Sequence, residues 1–174
     1  MKLSVDEYQR VLLFFQKAVR DEPEKWLYWG DIGFCYGRLG RWQEAVSAFE
    51  RIIDQLEVPA TVLSMLGHAY IKLKNYTEAA RVLERAQRVS PANLGILYKM
   101  AVVSYNQGDS DRALALMQQV VGQKPRHVRA QFNLGLIYHR LRDHEALARQ
   151  IAIVGELNPD FAERLARIGG GGTA

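Results

Sequence analysis

The 174-residue chain holds a single cysteine, Cys35, so it has no internal disulfide framework. It also lacks long apolar runs. The longest, Val11-Leu12-Leu13-Phe14-Phe15, stops at five residues, far short of the roughly 18 needed to cross a bilayer, and no direct membrane insertion is expected. The amino terminus turns acidic at Asp6-Glu7 and lacks the layout of a signal peptide, so the expected location is cytoplasmic. Signatures of catalysis are absent too. There is no glycine-rich phosphate loop and no Gly-x-Ser-x-Gly elbow. His139 and His144 do not share a helix face as an (i, i+4) metal pair would. Asn106 to Asp111 resembles the start of a calcium loop but lacks the length and the closing glutamate of one. Cys35, beside Tyr36, reads as a small buried filler. No catalytic residue, metal site or cofactor is expected.

What is present is a core and a period. Hydrophobic residues make up 48% of the chain and charged residues 24%, enough apolar mass for one continuous core. Net charge is +4 but uneven: residues 1–59 carry 8 Lys+Arg against 10 Asp+Glu, and residues 60–174 carry 15 against 9. The second part is therefore suited to an acidic partner, or is simply a solvated arginine-rich surface.

The period is clearest from Leu63 to Pro91: Leu63, Leu66, Gly67 and Tyr70, then Ala79, Leu83, Ala86 and Pro91. It returns every 34 residues. The first half of each unit holds Trp29-Ile32-Gly33-Tyr36, Leu63-Leu66-Gly67-Tyr70, Leu97-Met100-Ala101-Ser104 and Gln131-Leu134-Gly135-Tyr138. Turns follow at Gly40-Arg41, Lys74-Asn75, Gly108-Asp109 and Arg142-Asp143. The second halves hold Ala45-Phe49-Ile52, Ala79-Leu83-Ala86, Ala113-Met117-Val120 and Leu147-Ile151-Val154, closed by Glu57, Pro91, Pro125 and Pro159. Small residues let two helices approach, and large ones, Trp29 among them, fill the space between. No unit buries its apolar face alone, so the units must stack.

This pattern resembles the tetratricopeptide repeat over roughly residues 5–168. The departures are Glu57 for a proline, Ser104 for a tyrosine, Gln131 for a large apolar residue and Leu147 for an alanine. The resemblance implies an all-α fold, a right-handed α-solenoid of stacked antiparallel helix pairs, as a single domain over 1–168. It comprises four repeats at 26–59, 60–93, 94–127 and 128–161. A helix within 4–23 opens with a Ser4–Glu7 capping box and matches the second helix of a repeat. A capping helix is expected at 160–168 and a flexible tail at 169–174. The opening helix carries Leu12, Leu13 and Phe14. Leu13 and Phe14 fall in columns held elsewhere by Ser47-Ala48, Arg81-Val82 and Ala115-Leu116, read as solvent-facing, which makes this helix a candidate for self-association.

In this family the first helices line a concave groove. The columns that would face it supply Phe34 and Arg38, then His68 and Lys72, then Tyr98, Lys99, Val102, Tyr105 and Asn106, then Arg129, Phe132, Asn133, Leu136 and Arg140. Aromatic and apolar groups ringed by cations suit a short amphipathic or acidic segment of a partner protein. The expected function is a non-enzymatic protein-binding adaptor. A self-assembling scaffold, with a second copy as partner, and a chaperone for secreted proteins are the alternatives. The two-carboxylate clamp of chaperone-binding relatives is not matched, because its columns hold Ser64, His68, Lys99, Arg129 and Asn133. Nucleic acid is not an expected partner, since RNA-reading helical repeats run at a longer period.

Overall fold

The computed structural model describes residues 3–55 and 57–170, in which there are ten helices and no strand. Its contacts divide the chain into two compact units, Met1–Pro91 and Ala92–Ala174.

The first unit holds α1 (Val5–Asp21), α2 (Leu27–Arg38), α3 (Trp42–Glu50), α4 (Ala60–Lys72) and α5 (Tyr76–Val89). The capping box at the start of α1 forms as expected: the Ser4 amide donates to Glu7 Oε2 at 2.6 Å and the Glu7 amide to Ser4 Oγ at 3.2 Å. α1 packs on α2, α3 packs against α2 and α4, and α5 packs against α4. Gly33 and Gly67 are the notches that make these pairs close. A Cβ on Gly33 would lie 2.7 Å from the Phe49 ring, and one on Gly67 2.6 Å from Leu83. Trp29, expected to be buried, is half-buried, with the Arg51 guanidinium 4.4 Å from its ring centre.

α3 is shorter than its counterparts. The chain turns over residues 51–55, although Ile52 there is 0% exposed. The carbonyls freed by this early ending find a partner in Arg85, whose guanidinium donates to the Ile53 oxygen and, at 3.2 Å, to the Gln55 oxygen. Burial of Ile52 thus survives without helix.

The second unit holds α6 (Leu94–Gln107), α7 (Ser110–Gln123), α8 (Val128–Arg140), α9 (His144–Leu157) and α10 (Pro159–Gly170). α7 packs against α6 and α8, and α10 against both α8 and α9. The departures from the repeat pattern have local reasons. Gln131 is buried because Gln150 Nε2 donates to its Oε1 at 2.6 Å and to its backbone oxygen at 3.0 Å. Its own amide donates to the Pro125 oxygen at 2.7 Å. Leu147, in an alanine column, packs toward Gly169. The notch at Gly135 is filled by Leu165 of α10. α10 runs to Gly170, past the end expected at 168; residues 171–174 lie outside the described residues.

Two features recur at 34-residue spacing within the units. The turn residues Gly40, Lys74, Gly108 and Arg142 all have positive φ, between 58° and 89°, the backbone that ends a helix sharply. A polar rung joins each first-helix tyrosine to the second helix before it. Gln16 Nε2 donates to Tyr36 Oη at 3.0 Å, Tyr70 Oη donates to Glu50 Oε1 at 2.6 Å, and Gln118 Nε2 lies 3.5 Å from Tyr138 Oη. Gln16 therefore occupies the place of Glu50 and Gln118. Asp21, the last residue of α1, falls in the column where α5, α7 and α9 end.

Candidate functional site

In the first unit the expected groove residues are stacked on aromatic rings from second helices. Phe34 meets Tyr8 edge-on at 6.0 Å and the Arg38 guanidinium lies 5.2 Å from the same ring centre. One repeat on, His68 meets Trp42 edge-on at 5.5 Å and Lys72 Nζ lies 5.7 Å from it. Tyr8 and Trp42 share a column, and so do Phe34 and His68, and Arg38 and Lys72. This is one motif used twice: a ring at the start of a second helix supports two residues of the next first helix. The sequence reading missed Tyr8 and Trp42, although the 34-residue spacing linked them to the cations they carry.

In the second unit the arrangement is different. Val102, Tyr105 and Asn106 on α6 and Asn133 and Leu136 on α8 line a cavity of about 240 Å³, floored by Ala101, Met117 and Ile137. The floor residues were not foreseen as site residues, because their periodicity marks them as core. Polar groups are fixed around the cavity. Asn133 Nδ2 donates to Tyr98 Oη at 2.9 Å, and the Tyr98 ring stacks on His127 at 5.6 Å. Burial raises the Tyr98 phenol pKa, opposed by the Asn133 bond and by the charge of Arg129. Asn106 Nδ2 donates to the Val102 oxygen at 2.7 Å. Arg140 lies over the Tyr105 ring, 3.6 Å from its centre, and donates to the Tyr105 oxygen.

Other expected site residues lie away from this cavity. Phe132 is buried: it meets Phe161 of α10 edge-on at 5.2 Å, and Arg164 covers both rings at 5.4 Å. Lys99 donates to the Gly95 oxygen at 3.3 Å, burial lowers its pKa, and it does not line the cavity. Leu12, named for self-association, is 5% exposed and packs with Ile32 and Cys35. Leu13 and Phe14 are open, at 66% and 67%. The column of Phe14, however, is not solvent-facing as expected, since Ala48 and Val82 in it are 3% and 2% exposed. Arg129 is exposed and not among the cavity's lining residues.

Burial, and then the charge of Asp31, push the Cys35 thiol pKa up, which disfavours the thiolate a nucleophile needs. Among the described residues no helix is long and apolar enough to cross a membrane.

Family models described as tetratricopeptide repeat match residues 31–55, 60–93 and 98–152. The chain is similar to anaphase-promoting complex subunit 3 of Schizosaccharomyces pombe, 24% identical over 153 residues, 88% of this chain and 23% of that protein. It is likewise similar to the TPR repeat-containing protein YpiA of Bacillus subtilis, 24% identical over 159 residues, 89% of this chain and 37% of that one. It thus spans well under half the length of either. Among solved structures it resembles YrrB, a TPR protein with an unusual peptide-binding site, at TM-score 0.82 and 24% identity over 94% of this chain and 85% of that one. MamA from Desulfovibrio magneticus RS-1, residues 41 to the end, superposes at TM-score 0.81 and 22% identity over 88% of this chain and 86% of that one. With ten helices among the described residues, a 34-residue period along the sequence and family matches over most of its length, this chain belongs to the tetratricopeptide-repeat family.

Proposed function

We propose that the chain is a non-enzymatic protein-interaction module, and that the α6–α8 face of its second unit captures a short segment of a partner protein. The observation that carries this is the cavity. At about 240 Å³ it falls below the roughly 300 Å³ of the smallest small-molecule sites, and it suits one apolar side chain. Val102, Leu136 and Met117 supply apolar contact, while Asn106 and Asn133 offer amide groups to an extended backbone. Arg140 at Tyr105, together with the exposed Arg129 on the same helix, favours an acidic residue beside the anchor. The ligand class is therefore a peptide with a leucine- or methionine-like anchor and an acidic neighbour. The peptide-binding site named for YrrB supports a peptide ligand in this fold.

The test is to select ligands from a displayed peptide library with the full chain and measure their affinity by calorimetry. Leu136→Glu should weaken the best peptide at least tenfold with helicity unchanged, and the enriched peptides should carry the apolar–acidic pair. Unchanged affinity in Leu136→Glu would overturn the assignment of this face.

A second reading, association with another copy, is favoured by a separate observation: the open Leu13 and Phe14 of α1.

A further inference from the structure

The cavity sits in the repeat whose notch is not glycine. Residues 33, 67, 101 and 135 share a column, and it reads Gly, Gly, Ala, Gly. At each of these glycines a large side chain fills the room that a Cβ would need. Phe49 does so at Gly33, Leu83 at Gly67 and Leu165 at Gly135. Phe49 and Leu83 come sixteen residues after their notch, whereas Gly135 is served from α10. All three fillers branch at Cγ, and each packs so closely that a methyl group in the notch would collide with it.

Ala101 already carries that methyl. The residue sixteen positions on is Met117, which is unbranched at Cβ and Cγ. It can pass beside a Cβ that a leucine or a phenylalanine would strike. Ala101 and Met117 are both buried, belong to one core cluster and floor the cavity. The departure in the notch column and the opening between α6 and α8 thus coincide.

Methionine has three rotatable bonds and a polarizable thioether, so it fills irregular space and makes favourable contacts with aromatic rings. Much of the remaining lining is tied down. Ile137 is buried and β-branched. Asn133 is held by Tyr98 Oη, Asn106 by the Val102 oxygen and Tyr105 by Arg140.

We infer that Met117 sets which anchor the cavity accepts, as an adjustable floor that withdraws for a longer or flatter side chain. Leucine, methionine and phenylalanine anchors then bind comparably. This rests on the peptide reading above and extends its anchor class to aromatic side chains.

The test takes the best peptide from the displayed library and replaces its anchor in turn by leucine, methionine and phenylalanine. Wild type should bind the three within about threefold of one another by calorimetry, as surfaces that can repack do. Ala101→Gly/Met117→Leu recreates the pair of Gly67 and Leu83, a packing this fold already uses, with circular dichroism as the check. With the floor fixed, its three affinities should spread by about tenfold or more, the discrimination of a rigid apolar pocket. A change equal for all three anchors, or no change, overturns the role of Met117 and leaves the peptide reading standing. Wild-type affinities that already spread about tenfold do the same. A second readout does not need the variant to fold. The methyl carbon shift of Met117, which follows its terminal torsion, should differ between the leucine and phenylalanine complexes. That of Met100, buried on α6 outside the cavity, should not. A Met117 shift that is the same in both complexes overturns the inference. Failure of all three peptides to bind wild type overturns the peptide reading with it.

Discussion

The two units carry the same first-helix columns and use them differently. In the first, rings from second helices occupy the space beside the groove residues: Tyr8 supports Phe34 and Arg38, and Trp42 supports His68 and Lys72. In the second, the column of Tyr8 and Trp42 holds Ser110 ahead of α8. Leu136 lines a cavity, and Arg140 turns to Tyr105 instead. One column, ring against hydroxyl, separates a self-satisfied surface from one with room for a guest. The fold sets where such a site can be, and the occupant of a supporting column decides whether it is open.

The largest test of this contrast lies at the edge of the cavity. Phe132 and Leu136 sit one turn apart on α8 and both pack with the cluster that includes Leu165 of α10, but Phe132 is buried whereas Leu136 is half-buried and lines the cavity. Phe132→Ala should cost about 3–5 kcal/mol in urea unfolding, in the range of large core truncations, and Leu136→Ala distinctly less. Equal costs would mean that Leu136 is core and the cavity no site. Next comes the column itself. Ser110→Trp should weaken the selected peptide several-fold by giving Leu136 and Arg140 the ring that the first unit already has, with helicity retained. Peptide affinity equal to wild type would break the explanation offered for the cavity. The smallest effect concerns the turns, where both units follow one rule with different residues. Lys74→Gly and Arg142→Gly remove left-handed backbone strain of roughly 1–2 kcal/mol, partly offset by glycine's greater entropy loss on folding. Each should raise stability by about 0.5–1 kcal/mol, and a thermal melt showing lower Tm would contradict it.

Much of this was legible in the residues. The four turns fall where the period places them, at Gly40, Lys74, Gly108 and Arg142, and all four have positive φ. The capping box at Ser4 formed, and Gly33 and Gly67 are tight notches. These are local or nearest-neighbour properties, and a periodic sequence repeats them. The site was less legible. Column position placed Val102, Tyr105, Asn106, Asn133 and Leu136 together, but it also nominated Phe132, which α10 buries. Nothing in the spacing of α8 reveals that a helix thirty residues later folds onto it.

The sequence alone determined the family, the period, the helix pairs and the role of α1 as a second helix, because each depends on which residues recur at 34-residue intervals and on backbone preferences within a turn or two. Tertiary structure alone decided the early end of α3 with Arg85 on its freed carbonyls, the Gln131–Gln150 pair, the ring-supported face of the first unit and the cavity of the second. Those outcomes rest on which side chains meet across helices and how fully they fill the space between them, and that is settled by packing in three dimensions rather than by spacing along the chain.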